Sequence, residues 1–200
     1  MAEDENKWET QRLIAVNFAC RADRMFEDKQ LVEKLKKGDK QALCRIYDKY
    51  SHCLLATAMG ILRDRGLAED AMHDVFLEFV REIDGFVLTG KLNSYLAKCV
   101  ANRSIDILRS KDQQTVELEK IKAINAESSV PEKDAVKNEE LEKLDEALSQ
   151  LPIEQRQVIM MHIHGQMGYR QIAKHEGVSI NTIQGRYRYG MKKLKTFLSR

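Results

Sequence analysis

The chain has 200 residues with 33 Lys plus Arg against 31 Asp plus Glu, so its formal net charge of +2, taken whole, argues for no partner of either sign. A composition of 43% hydrophobic residues is enough to build one or two cores at this length, and two prolines with ten glycines tilt the expectation toward helix. The longest apolar runs, such as Val158 to Met161 and Cys53 to Met59, fall far short of the ~20 residues of a membrane span, and the opening MAEDENKWETQ is acidic where a signal peptide would be basic and then apolar. A cytoplasmic chain with no membrane partner is expected. Cys20, Cys44, Cys53 and Cys99 are scattered without a CxxC pair, which reads as reduced, mostly buried thiols and indicates no disulfide framework, zinc ribbon or other metal site.

Charge is unevenly spread: residues 1–28 carry −3, 29–111 carry +4, 112–147 carry −6 and 148–200 carry +7. Neutrality is thus an average over acidic and basic blocks. The composition divides the chain into an N-terminal extension (1–28), a first domain (29–111), a linker (112–137) and a second domain (138–200). Within the extension, KWETQRLIAVNFACRADRMF has the pattern of a short amphipathic helix.

From residue 29 the apolar positions recur at helical spacing, in Leu31, Leu35 and then Ala42, Leu43, Ile46, Tyr47 and Tyr50, with Gly38-Asp39 as break and cap. The segment LAEDAMHDVFLEFVREID writes parallel stripes at i,i+4 spacing. Ala71, Val75, Phe79 and Ile83 run beside Met72, Phe76 and Val80, while Asp70, Asp74, Glu78 and Glu82 form an unbroken carboxylate stripe. Like charges so spaced weaken an isolated helix, and a basic partner would offset that cost; the plainer alternative is a solvated acidic face. The next helix, spanning residues 93–109, turns Tyr95, Leu96, Cys99, Val100, Ile105 and Leu108 inward and leaves Lys98, Asn102, Arg103, Arg109 and Lys111 facing out. Basic side chains mixed with an amide suit phosphate contact and the capture of a flipped base, although such a face is often merely solvated.

The segment KDQQTVELEKIKAINAESSVPEKDAVKNEE is acidic, lacks aromatics and carries Pro131 after Ser128 and Ser129, so it reads as a flexible linker. The alternative is a short docked helix built on Val116, Leu118, Ile121 and Ile124.

The second domain opens with Leu141, Leu144 and Leu148 on one helical face, broken at Leu151-Pro152. Pro152 suits the first turn of a new helix, IEQRQVIMMHIH, which Gly165 ends. There follow a helix of about eight residues, a turn with Gly177, a cap at Ser179 and a longer helix, the layout of a helix-turn-helix. Ala173 lets two helices cross closely, Gly177 permits a left-handed turn and Ser179 satisfies orphan amides. On the last helix Ile183, Tyr187, Gly190, Leu194 and Leu198 are expected to pack inward. The opposite arc collects Asn181, Thr182, Gly185, Arg188, Tyr189 and Lys192, flanked by Gln184 and Arg186. Amides and guanidinium groups read base edges in the major groove, and Gly185 lets the backbone approach. From Arg170 onward there are eight basic residues and one acid, the footprint of a duplex-binding module. The expected fold is therefore all-α: two small helical domains joined by a flexible acidic linker, the second containing a helix-turn-helix.

Catalysis finds no support. His162 and His164 diverge by about 200° around a helix axis, whereas metal ligands prefer i,i+3 or i,i+4 spacing, and neither His175 nor the His52-Cys53 pair completes a site. No phosphate loop or nucleophile motif occurs, so no enzyme, cofactor or small-molecule substrate is expected.

Taken together, GDKQALCRIYDKYSHCLLATAMGIL, AEDAMHDVFLEF and KLNSYLAKCVANRSIDILRSK resemble region two of bacterial sigma factors of the extracytoplasmic-function type. ALSQLPIEQRQVIMMHIHGQMGYRQIAKHEGVSINTIQGRYRYGMKKL resembles their region four. The resemblance covers residues 30–111 and 138–200, and two ordered blocks make it more specific than a helix-turn-helix alone. It implies a polymerase specificity subunit whose partners are bacterial core RNA polymerase and promoter DNA, and it admits an anti-sigma factor as a further partner. Asp70, Asp74, Val75, Phe76 and Phe79 match the polymerase-binding helix. Asn102 falls near the loop that receives a flipped minus-ten base, with Lys98, Arg103 and Arg109 available for phosphates; the helix-turn-helix reads the minus-thirty-five duplex. The linker would thread toward the RNA exit path. Two departures stand out. Tyr95 replaces the usual Trp with few aromatics nearby, which predicts modest strand melting, and Gln184-Gly185 replaces a basic residue and Ser, so base preference cannot be copied from relatives. An autonomous helix-turn-helix regulator that does not act through polymerase is the alternative, but it has no need of the acidic stripe.

Overall fold

Local signals place the helix boundaries in the computed structural model, which describes residues 25–121 and 139–199. All but the last two residues of the amphipathic segment expected at 7–26, and linker positions such as Ile124 and Pro131, lie outside them. Helix α1 is described over 25–36. Gly38 then adopts a φ of +83°, and Asp39 caps α2 (Lys40–Leu62) by accepting the Gln41 N–H at 2.9 Å. Asp64 caps α3 (Arg65–Arg81) through the Leu67 N–H at 3.0 Å, and a 3-10 turn at Ile83–Gly85 leads toward α4 (Leu92–Ile121). The second domain comprises α5 (Glu139–Ser149), α6 (Ile153–Ile163), α7 (Tyr169–Glu176) and α8 (Ile180–Leu198). No strand occurs among the described residues.

Two domain boundaries shift from expectation. Helix α1 already includes residues 25–28, and Asp28, assigned to the extension, is buried against α2, where its carboxylate accepts from the Tyr50 hydroxyl at 2.5 Å and Lys49 Nζ at 2.9 Å. A buried carboxylate needs such partners, so the first domain starts within the supposed extension. Likewise α4 continues to Ile121, through the first ten residues of the expected linker, because nothing in KDQQTVELEK breaks a helix.

Each domain has its own core. In the first, Leu31 and Val32 of α1 meet Ile46 and Leu54 of α2, Val75, Phe76 and Phe79 of α3, and Leu96 and Val100 of α4. Each such side chain, fully buried, contributes roughly 1.5–3 kcal/mol. In the second, Leu148, Val158, Ile159, Met161, Ile172, Ile183 and Leu194 close around α6, joined by Ile61 and Ala101 from the first domain. The domains are therefore packed on each other. The turn after α6 is the hinge of that contact: the His164 carbonyl accepts from Cys53 Sγ at 2.7 Å and Asn93 Nδ2 at 2.9 Å, and the Gly165 carbonyl accepts from Ser94 Oγ at 3.0 Å. Arg63 adds a two-pronged bond to Asp145, at 3.1 and 2.8 Å.

Candidate functional site

The helix-turn-helix follows its sequence signals closely. Gly177 takes a φ of +67° between α7 and α8, and Ser179 Oγ accepts the Thr182 N–H at 3.1 Å. Ala173 is buried at the crossing, and Val178 N–H bonds its carbonyl. Ile183, Gly190 and Leu194 face inward and Tyr187 is half-buried. Leu198, expected to pack with them, is 50% exposed at the C-terminal end of α8. On the outer arc Asn181, Thr182, Gln184, Arg188, Tyr189 and Lys192 are exposed, while Gly185 and Arg186 are half-buried at its edge. The Arg188 guanidinium lies over the Tyr189 ring at 5.2 Å, a stacking that holds it pointed outward. His162 is used structurally: Nδ1 lies 2.8 Å from the Met167 carbonyl oxygen, and its ring stacks on Tyr169 at 4.5 Å.

In the first domain the stripe of α3 splits by role. Asp70, Asp74, Glu78 and Glu82 are all exposed. Val75, Phe76 and Phe79, matched to the polymerase-binding helix, are 3%, 6% and 2% exposed, so they are core residues that carry the stripe. Sequence reasoning missed Leu77, 57% exposed beside the carboxylates; it breaks the apolar stripes, and that is the signal that could have singled it out.

Lys98, Asn102, Arg103, Arg109 and Lys111 all project from α4 into solvent or clefts, as their spacing predicts. The structure distributes them, however, among different neighbours. Arg103 pairs with Asp74 at 2.7 Å. Asn102 and Arg109 share a cleft of about 790 Å³ with Arg156, Glu176 and Arg186 of the second domain. Burial raises the Glu176 carboxyl above its usual range, with Arg186 and Arg109 acting against that shift. Lys98 lines another cleft, of about 920 Å³, between the 85–91 loop and α7, together with Tyr95, Lys174 and His175.

Tyr95 is not short of aromatic neighbours, contrary to the sequence reading: Phe86 lies 4.8 Å and Phe79 6.3 Å from its ring, and Phe79 meets Phe86 edge-on at 5.2 Å. Folding the 83–91 connection back over α4 brings them together. Burial first, then Cys99 and the nearby Glu82 and Glu78, push the Tyr95 phenol up to about 12, so it remains a neutral hydrogen-bonding ring.

A helical domain bearing an acidic stripe and a basic cleft, followed by a helix-turn-helix domain with a free polar face, defines a two-domain nucleic-acid-binding protein. Family models for sigma-70 region 2 and sigma-70 region 4 match residues 46–114 and 141–194. Curated relatives include the ECF RNA polymerase sigma factor SigK of Mycobacterium ulcerans, 23% identical over 171 residues that cover 84% of this chain and 91% of that protein. SigK of Mycolicibacterium vanbaalenii is 25% identical over 171 residues, covering 84% and 87% respectively. Among solved structures, the sigma factor RpoE of Bartonella quintana, in complex with the anti-sigma factor NepR, superposes with a TM-score of 0.61 at 21% identity, covering 78% of this chain and 95% of that one. CnrH, in complex with the cytosolic domain of CnrY, gives a TM-score of 0.60 at 19% identity, covering 86% and 97%. This chain belongs to the extracytoplasmic-function sigma factors, proteins of bacterial transcription initiation. Among the described residues no helix is long and apolar enough to cross a membrane.

Proposed function

We propose that this sigma factor binds core RNA polymerase through the α3 carboxylates Asp70 and Asp74, reads a minus-thirty-five duplex with α8, and captures a melted minus-ten strand with α4. The observation that carries this reading is the outer arc of α8. Asn181, Gln184 and Arg188 are exposed there on a rigid helix whose other face is sealed by Ile183 and Leu194, which suits base-edge recognition in the major groove. On α4, Asn102 would meet the flipped base, while Lys98, Arg103 and Arg109 neutralise phosphates. The Tyr95 ring, backed by Phe86 and the buried Phe79, supports a base-stacking surface beside Lys98.

A cleft of about 790 Å³ between Asn102, Arg109 and Arg186 is too small for a duplex, which leaves the duplex to the exposed arc of α8 and the melted strand to α4. The direct test is reconstitution with bacterial core polymerase and selection of bound promoters. Co-elution at low salt and initiation from a defined start site are expected; failure to bind core at low salt sinks the proposal.

A further inference from the structure

The second domain sets α7 opposite the 85–91 loop of the first, and a cleft of about 920 Å³ lies between them. That volume falls within the roughly 300–1,000 Å³ of small-molecule sites. One wall is aromatic: Tyr95 is half-buried, and Phe86 backs its ring at 4.8 Å. The rest of the lining is cationic. Lys98 of α4 and Lys174 of α7 are both exposed there, with Lys91 and His175 beside them, against one lining carboxylate, Glu82.

The polar groups left open in this cleft are donors. Among the described residues no carboxylate pairs with Lys98 or Lys174. Gln171 Oε1 already accepts the Gly168 N–H at 2.9 Å, which leaves its Nε2 amide to donate. His175 Nε2 is buried and has no hydrogen-bond partner among the described residues. Burial, and after it the charge of Lys98, hold the His175 imidazole below its ordinary 6.5, so Lys98 bears on His175 across the domain boundary. Ammonium groups brought to one cleft from two domains repel each other unless an anion joins them. A highly charged group that only accepts hydrogen bonds answers this set of donors, and phosphate has that chemistry. The Tyr95 ring adds a platform on which any base can stack. A phosphate chain carrying a base satisfies both walls at once.

We propose that this cleft binds a nucleoside triphosphate, with its base stacked on Tyr95 and its phosphates held between Lys98 and Lys174. Because α4 and α7 belong to different domains, the ligand ties the two together. Tyr95 and Lys98 also serve the melted strand in the function proposed above, so nucleotide and strand compete for them. Lys174 and Gln171 take no part in that function, and the site is testable without polymerase or promoter.

The experiment uses the full chain alone, with ATP, GTP and inorganic triphosphate as probes in isothermal titration calorimetry. ATP and GTP are expected to bind with similar affinity, and inorganic triphosphate about tenfold more weakly, since it has no base to stack. Lys174→Glu should weaken ATP binding about tenfold with unchanged helix content by circular dichroism. Lys193→Glu, the same charge change at an exposed residue of α8 outside the cleft, should leave it unchanged. Absence of binding by both nucleotides overturns the proposal, as does equal weakening by Lys193→Glu, which reduces the effect to diffuse surface charge. Inorganic triphosphate binding as tightly as ATP overturns the nucleotide assignment. So does a single-stranded tetranucleotide that binds where ATP and GTP do not, because it returns the cleft to the melted strand.

Discussion

The Asp74 carboxylate accepts both Nε and Nη2 of Arg103, at 3.0 and 2.7 Å, so a residue of the acidic stripe and one of the basic α4 face neutralise each other across the first domain. Both side chains are about half-exposed, 47% and 50%, and an ion pair so placed contributes at most about 1 kcal/mol. Outside partners can therefore exchange it at little cost. Charge reversal at one partner, Asp74→Arg, is expected to weaken core polymerase binding at least about tenfold, equivalent to about 1.4 kcal/mol, with the thermal midpoint nearly unchanged. Unaltered binding in a pull-down titration would remove the stripe from the polymerase interface.

On the recognition helix, Arg188→Ala and Gln184→Ala should each cost the holoenzyme about 1–3 kcal/mol of discrimination at one promoter position. Lys192→Ala should weaken binding uniformly across sequences and lower the slope of log affinity against log salt by about one. Fluorescence anisotropy on a panel of single-substitution duplexes separates these outcomes; equal losses on every duplex for Arg188→Ala would make it a phosphate contact.

The seam between domains is sensitive at Gly165. A Cβ there would lie 2.5 Å from the Met161 carbonyl oxygen and 3.1 Å from the Ala97 Cβ, and neither can swing away as the end of a long side chain could. Gly165→Ala should destabilise by about 1–3 kcal/mol and loosen the Ser94 contact. Its thermal midpoint and small-angle scattering radius check this; a wild-type midpoint and radius would show that the seam has room.

Acidification should act on the same seam. Burial pushes the His164 imidazole below its ordinary 6.5, and burial followed by the nearby Lys98 does the same to His175. Both rings then bind protons more readily unfolded than folded, so stability falls as pH drops through 6.5 toward the depressed values. Glu176 has the opposite sign, since its raised pKa stabilises the fold at low pH and that contribution is lost as pH rises through the raised value. The thermal midpoint is expected to be lower at about pH 6 than at about pH 7.5, and the difference should shrink in a His164→Asn, His175→Asn double variant. An undiminished difference would assign the effect to other groups.

Much was legible in the sequence because it is local. Helical spacing, the Asp39 and Ser179 caps and the Gly177 turn are decided within a few residues by sterics and by orphan amides, and the structure repeats them. The outward side chains of α4 and most of those of α8 follow from the same periodicity. What periodicity cannot decide is which chemistry a stripe meets. Val75, Phe76 and Phe79 read equally well as contact or core until α1, α2 and α4 are packed around them, and the aromatic wall around Tyr95 exists only because the chain returns over α4. The seam formed by Cys53, Asn93 and Ser94 on the 164–165 turn joins residues 71 to 111 positions apart. Its bonds depend on long-range closure between two cores, so only the tertiary structure decided that the two domains pack on each other and which side chains line the clefts between them.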